Sequence, residues 1–206
     1  MKFSEQEKKD ILDAVLKAES TTNGEIAPVI VAQSDLYPAA HFRLASLCAF
    51  LLLLANYYLE PLSDDPALYL VAFIAGSILG MLLANISLLK RLFTSRSEKD
   101  EEFKQRAYES FLLNGITETK NRNGVQLFIS ALEHKAMIIA DVGIQKKVDN
   151  EAWQTIIDEL LPYLKNKSYT HGIIKSVGSI GEVLTKHFPQ DHTDEDELPN
   201  KLIIDV

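Results

Sequence analysis

The chain has 206 residues, 47% of them hydrophobic, and carries a net charge of -8 from 21 Lys and Arg against 29 Asp and Glu. That length sets one or two domains, and an acidic chain with no broad basic face is a poor fit to nucleic-acid binding. Cys48 is the single cysteine, so no intrachain disulfide can form and nothing in cysteine usage requires an oxidising compartment.

The opening residues Met1 to Asp10 have no apolar core, so no signal peptide is expected there and membrane insertion, if any, falls to an internal segment. Ser4-Glu5-Gln6-Glu7 fits a capping box, and Ile11, Leu12, Val15 and Leu16 then share one helical face. Asn23-Gly24 ends that helix with a turn. Glu25 to Val31 reads as a strand, and Pro28 inside it removes one donor, which suggests a sheet edge or a bulge.

A mean hydropathy of -0.01 hides a sharp segregation, because most long apolar runs fall between Leu44 and Leu89. A helix rises about 1.5 Å per residue across a hydrocarbon core about 30 Å thick. Residues 67–89 meet that length with no charge, and residues 42–59 meet it if Arg43 snorkels outward. Two antiparallel spans in a lipid bilayer follow, joined by the acidic, proline-bearing turn from Glu60 to Pro66. Tyr57, Tyr58 and Tyr69 crowd that end as an aromatic belt would. Arg43, Lys90, Arg91 and Arg96 mark the opposite end, which puts both termini in the cytoplasm of a multi-pass cell-membrane protein. Gly76-x-x-x-Gly80 suits close helix packing, either inside the hairpin or between chains as a homodimer. The competing reading is a buried helical pair in a larger soluble core, but residues 67–83 lack the polar stripe such a helix keeps.

After the hairpin, Ser97 is placed to cap a helix running to about Leu113, with Phe103, Ala107 and Phe111 on one side. Val125 to Ser130 and Ala136 to Asp141 read as a β-hairpin turning near Glu133-His134. Trp153, Ile156, Ile157, Leu160, Leu161 and Leu164 repeat at helical spacing, as do Ile173, Val177, Ile180 and Leu184. The element order predicts an α/β fold, a small mixed sheet covered by helices on both faces. The expected segments are 1–40 and 91–189 for the two pieces of the soluble domain, 41–90 for the membrane hairpin, and 190–206 for an acidic tail.

Several of these pieces together resemble the TPM domain family. They are Thr22-Asn23-Gly24-Glu25-Ile26, Asn123-Gly124-Val125, Ala140-Asp141-Val142-Gly143-Ile144, Trp153, Tyr169-x-x-Gly172 and His187-Phe188-Pro189. The resemblance covers about 1–33 and 98–203, and its ending is similar to a bacterial branch. It implies weak acid phosphatase activity, as in a plant member, and divalent metal binding. An internal hairpin departs from the family's exported or terminally tethered members.

Strand geometry puts Glu25, Arg122, Asn123 and Asp141 at one end of the sheet, with Asp141 near Gln126. Two carboxylates, Glu25 and Asp141, suit a divalent cation such as Ca²⁺ or Mg²⁺, and Arg122 with Asn123 suits an anion. The plainer reading makes Asp141 a turn cap, Glu25 a strand end and Arg122 an ion-pair partner. His134 reads as a turn residue with exposed neighbours, Trp153 as core, and Gly178 and Gly181 as packing residues in a helix. His187, Asp191 and His192 are weak metal candidates without fixed ligand spacing. Two functions follow from this: a membrane-held interaction or quality-control module with an unidentified protein partner, or a membrane-bound metal-dependent phosphatase. Two spans without a charge pair make poor transporter material, and Asn85 is thin evidence for one.

Overall fold

The computed structural model describes residues 3–58, 66–190 and 202–205. It divides into one unit of Met1–Ser34 with Glu102–Val206 and a second of Asp35–Glu101. The expected acidic turn at 60–65 and the tail residues 191–201, including Asp191 and His192, lie outside the described residues.

In the first unit α1 spans Glu5–Glu19, and Ser4 caps it through the predicted reciprocal box. The Glu7 amide donates to Ser4 Oγ at 3.2 Å and the Ser4 amide to Glu7 Oε2 at 2.8 Å. These bonds lower the Glu7 pKa, the Ser4 backbone bond contributing most. Strands β1 (Glu25–Val31), β2 (Gly124–Ser130), β3 (Lys135–Ala140) and β4 (Ile203–Asp205) form one mixed sheet in the order β3-β2-β1-β4. β1 runs parallel to β2 and β4, and β2 runs antiparallel to β3.

Because side chains alternate along a strand, the sheet builds two cores. Ile26, Ile30, Val125 and Leu127 face α1, α7 (Asn150–Lys165) and α8 (Tyr169–His187), where Ile11, Leu160, Leu164, Ile173 and Ile180 are buried. Val29, Phe128 and Ile139 face Phe103, Ala107 and Phe111 of α5 (Arg96–Leu113). Helices therefore cover both faces, as the element order predicts. Gln126 is fully buried on the α5 side, where its Nε2 donates to the Ala107 carbonyl at 2.9 Å and its Oε1 accepts from Ser110 Oγ at 3.1 Å.

Pro28 sits in an interior strand, not at an edge. Val31 O accepts from the Ala131 amide on the β2 side, and the Ala32 amide donates to Asp205 O on the β4 side. Alternation then turns the Pro28 nitrogen toward β4, whose pairing with β1 begins only at Val29. The missing donor thus falls beside the short strand, where it disturbs the ladder least. β4 itself comes from the segment read as an acidic tail; its signal was the apolar run Leu202-Ile203-Ile204.

The second unit contains α2 (Pro38–Tyr58), α3 (Pro66–Leu83), α4 (Ser87–Phe93) and the start of α5. α2 and α3 are each long and apolar enough to cross a membrane. At about 1.5 Å per residue they measure roughly 31 and 27 Å. They pack on a seam of small residues: a Cβ on Gly76 would lie 2.6 Å from Ala49 Cα, and one on Gly80 would lie 2.3 Å from Leu44 O. Both glycines are thus used inside the hairpin. Ser77 Oγ donates to Phe73 O at 2.9 Å, so this span satisfies its hydroxyl internally.

The predicted span 67–89 is two helices. Asn85 Nδ2 donates to Met81 O at 3.2 Å and to Leu82 O at 3.3 Å, binding carbonyls that a helix end frees, and α4 starts after an extended Ile86. Ser95, not Ser97, caps α5: its amide donates to Glu98 Oε2 at 2.8 Å and its Oγ accepts from the Glu98 amide at 3.2 Å. Arg43 does not reach out alone, since its Nη1 donates to Phe93 O at 2.7 Å and its guanidinium grips Glu98 at 2.8 and 3.0 Å.

Candidate functional site

The site lies at one end of the β1-β2-β3 ladder. Glu25 pairs with Gly124, and the Asp141 amide donates to Gly124 O at 2.9 Å. Glu25, Gly124 and Asp141 therefore form one row across three strands, on the face that α5 covers. The middle residue has no side chain. Strands lie about 4.8 Å apart, so the outer Cα atoms stand roughly 10 Å from one another, and Ile116 fills the space over Gly124, where a Cβ would lie 2.6 Å from Ile116 Cγ2. Glu25, Arg122, Asn123 and Asp141 lie at one end of the sheet, and Asp141 lies opposite Gly124 where Gln126 was predicted. The turn is centred one residue earlier than Glu133-His134, and each residue of displacement moves an antiparallel register by two.

Asp141 has its partners. Its carboxylate, almost fully buried, accepts from Arg122 Nε at 2.6 Å and Nη2 at 2.9 Å, while Oδ1 also takes the Val142 amide at 2.7 Å as N-cap of α6 (Val142–Gln145). Arg122 is about half exposed, and its two bonds to Asp141 push its pKa up further, against a smaller opposing effect of burial. Arg122 adopts φ 53°, a left-handed conformation that lets the loop double back. Gly143 accepts that loop: a Cβ there would lie 2.5 Å from Asn121 O and 2.6 Å from Arg122 O. The plain ion-pair-and-cap reading of Asp141 and Arg122 thus describes the observed bonds.

Asn123 and Glu25 lie beside that pair. Asn123 is buried; its amide donates to Thr119 Oγ1 at 3.0 Å and its Nδ2 to the Asn23 carbonyl. Asn123 Oδ1 is buried with no hydrogen-bond partner among the described residues. Glu25 is buried at 6% exposure. The supporting roles of Thr119, whose hydroxyl takes the Asn123 amide, and of Asn23, which acts through its backbone carbonyl, were not legible.

At the other end of the sheet Glu133 is buried, not exposed as expected of the neighbours of His134. Its carboxylate takes the Ser34 amide at 2.9 Å and the Ser130 hydroxyl, tying the loop after β1 to the β2-β3 turn. His134 occupies that turn at φ 53°. Among the described residues no group of three or more His, Cys, Asp and Glu side chains is placed to hold a metal. Trp153 is core, as predicted.

Residues 88–183 match the model of the TPM domain, a stretch that runs from α4 into α8. Over that stretch the chain is similar to the TPM domain family. Arg122, Asn123 and Asp141 lie inside the matched stretch, and Glu25 lies outside it. The fold of the chain is also similar to the NMR structure of BA42 protein from the psychrophilic bacterium Bizionia argentinensis. That likeness has a TM-score of 0.61 at 20% identity, over 99% of this chain and 96% of that one. Among curated proteins, none matches the sequence.

Proposed function

We propose that this chain is a membrane protein whose TPM domain is held at a bilayer by the α2-α3 hairpin and serves there as an interaction or quality-control module for a protein partner. The observation that carries this reading is exposure. Only 22% of the apolar window of α2 and 11% of that of α3 are buried. A core helix of a soluble protein would be mostly covered. Phe50, Leu51, Leu70, Val71, Ile78 and Leu82 are each 53–64% exposed. Burying such a side chain fully is favourable by about 1.5–3 kcal/mol, so covering the open half of these six with lipid gains roughly 5–9 kcal/mol. That matches the whole stability of a typical domain, so water is the wrong solvent for this surface.

The basic residues Arg43, Lys90, Arg91 and Arg96 flank the open ends of the hairpin. The positive-inside rule then sets both termini in the cytoplasm. A cytoplasm-dependent reporter fused at Val206 should be active, and an export-dependent reporter inserted at residues 60–65 should be active too. Full-length chain that stays monodisperse without detergent and never sediments with vesicles would overturn the reading.

One observation favours a second property, divalent cation binding. Asn123 Oδ1 is a buried, unbonded acceptor next to the row that carries Glu25 and Asp141, and oxygen ligands of this kind suit Ca²⁺ or Mg²⁺. Arg122 holds both Asp141 oxygens, so a cation would compete with the guanidinium. Calorimetric titration of the full chain with CaCl₂ and MgCl₂ tests this: wild type should bind and Glu25→Gln should not. A phosphatase is the weaker alternative, since no group of three His, Cys, Asp or Glu side chains is placed to hold a metal among the described residues. Phosphate release lost on Asp141→Ala would revive it.

A further inference from the structure

β3 is an edge of the sheet, which runs β3-β2-β1-β4. The bond from the Asp141 amide to Gly124 O fixes which of its backbone groups are used. By alternation Met137 and Ile139 turn their amides and carbonyls to β2, and Ala136, Ile138 and Ala140 turn theirs outward. Of these outward groups the Ala140 carbonyl is taken, by Gln145 Nε2 at 2.7 Å. The others meet no protein group among the described residues. Such edges are commonly guarded by charge, proline or a bulge. Lys135–Ala140 has no proline, and its one charge, Lys135, holds Nζ 5.7 Å from the centre of the Phe103 ring.

The two helical layers leave room beside this edge. A cavity of about 410 Å³ lies against Ile138 and Ala140, walled by Tyr108 of α5, Trp153 of α7, Val148 and Asp149. α5 and α7 cover opposite faces of the sheet, so the cavity opens along the sheet's own plane. Asp149 stands at the N-cap of α7 without a side-chain capping bond, and its exposed carboxylate has no partner among the described residues. Aromatic and apolar walls beside a carboxylate suit a side chain with a long apolar stem and a cationic end. The net charge of -8 adds a general pull on basic partners.

We propose that β3 takes an extended segment of the protein partner as an added strand, paired along Ala136–Ala140, and that this segment presents a lysine or arginine to Asp149. This rests on the interaction-module reading above and names the partner's chemistry: backbone pairing supplies affinity and the cavity supplies selectivity.

The test uses the full chain in mild micelles and a short fluorescein-labelled peptide of valine and threonine with a central lysine; its twin carries glutamate there. Fluorescence anisotropy should show the lysine peptide binding and the glutamate peptide several-fold weaker. Asp149→Asn should shrink that difference by up to about five-fold, the weight of an exposed ion pair, and Asp149→Lys should reverse it. Amide exchange read by NMR locates the peptide. Without it the outward amides of Ala136 and Ile138 should exchange fast and those of Met137 and Ile139 slowly, and the lysine peptide should slow the outward pair. Ile138→Pro, which removes an outward donor but no bond to β2, should weaken binding, and the wild-type exchange pattern carries the test if that variant misfolds. Equal binding of the two peptides, binding that leaves the outward amides fast, or no binding overturns the proposal. So does a dimer whose outward amides are already slow, which would give the edge to a second copy. Those failures leave the membrane anchor standing, since vesicle sedimentation reads it separately; a chain that ignores vesicles ends the anchor and leaves the edge untouched.

Discussion

Adding one methyl group at Gly80 and at Gly178 should move stability in opposite directions. In water, Ala is favoured over Gly inside a helix by about 1 kcal/mol at either place. At Gly178 in α8 a Cβ would meet nothing within 4 Å, so Gly178→Ala should realise that gain. For a chain of this size it appears as a rise of about 2–4 °C in the thermal midpoint. At Gly80 the new Cβ would lie 2.3 Å from Leu44 O and 2.5 Å from Ala45 Cα, both backbone atoms with no rotamer to yield. Ordinary contact lies beyond 3.4 Å, so α2 and α3 must part by about 1 Å along the seam. A gap of that size forfeits up to half of the dispersion energy of each contact it opens. Overpacking costs about 1–3 kcal/mol, and backbone contact puts this site at the upper end. Net of the helical gain, Gly80→Ala should lose about 2 kcal/mol, near 30-fold in the folded-to-unfolded ratio. Titration of purified chain from mild micelles into a denaturing detergent, followed by energy transfer between dyes on the two spans, measures the hairpin, and thermal circular dichroism measures α8. A Gly80→Ala hairpin as stable as wild type, or a Gly178→Ala chain that melts earlier, would refute the close-approach argument.

Arg122→Ala should destabilise more than Asp141→Ala, although both break the same pair. The first strands a buried carboxylate, a loss of about 3 kcal/mol; the second frees a half-exposed arginine and removes one helix cap, about 1–2 kcal/mol. Chemical denaturation of the two variants reads the order, and the reverse order would mean the carboxylate is not buried in solution. Glu98 has a pKa lowered to about 2, first by its bonds to Arg43 and then by those to Ser95. A carboxylate depressed in the folded state stabilises fully above its ordinary pKa near 4.5 and loses that contribution as pH falls toward 2. The hairpin should weaken over that window, and Glu98→Gln should flatten the profile; an unchanged profile would contradict the pairing. Phe128, fully buried against Phe103 with ring centroids 5.5 Å apart, should cost about 3–5 kcal/mol as Phe128→Ala in an unfolding titration.

Local chemistry was legible wherever one segment carried its own signal. The capping box at Ser4 and Glu7 and the apolar periods of α7 and α8 were read correctly because propensity, capping and hydrophobic pattern act within a few residues; two long apolar helices also stand where the hairpin was expected, the second stopping at Leu83 and not at Leu89. The mixed sheet with helices on both faces followed from element order, since a parallel β1-β2 pair needs a crossover. Long-range placement was legible only to within a residue or two. Asp141 was put beside Gln126 and lies opposite Gly124, because the position of a hairpin turn depends on which loop backbone can close, and Glu133 buries itself to close this one.

The amino-acid order alone determined that this chain has an α/β part and two long apolar helices, because burial against water is decided residue by residue and leaves a periodic record. Only the tertiary structure decided that β4 closes the sheet, that α4 is separate from α3, and that Gly76 and Gly80 are spent inside the hairpin. It also gave Asp141 to Arg122 and left Asn123 Oδ1 unbonded. These outcomes depend on which distant backbone approaches which, and no local pattern encodes that distance.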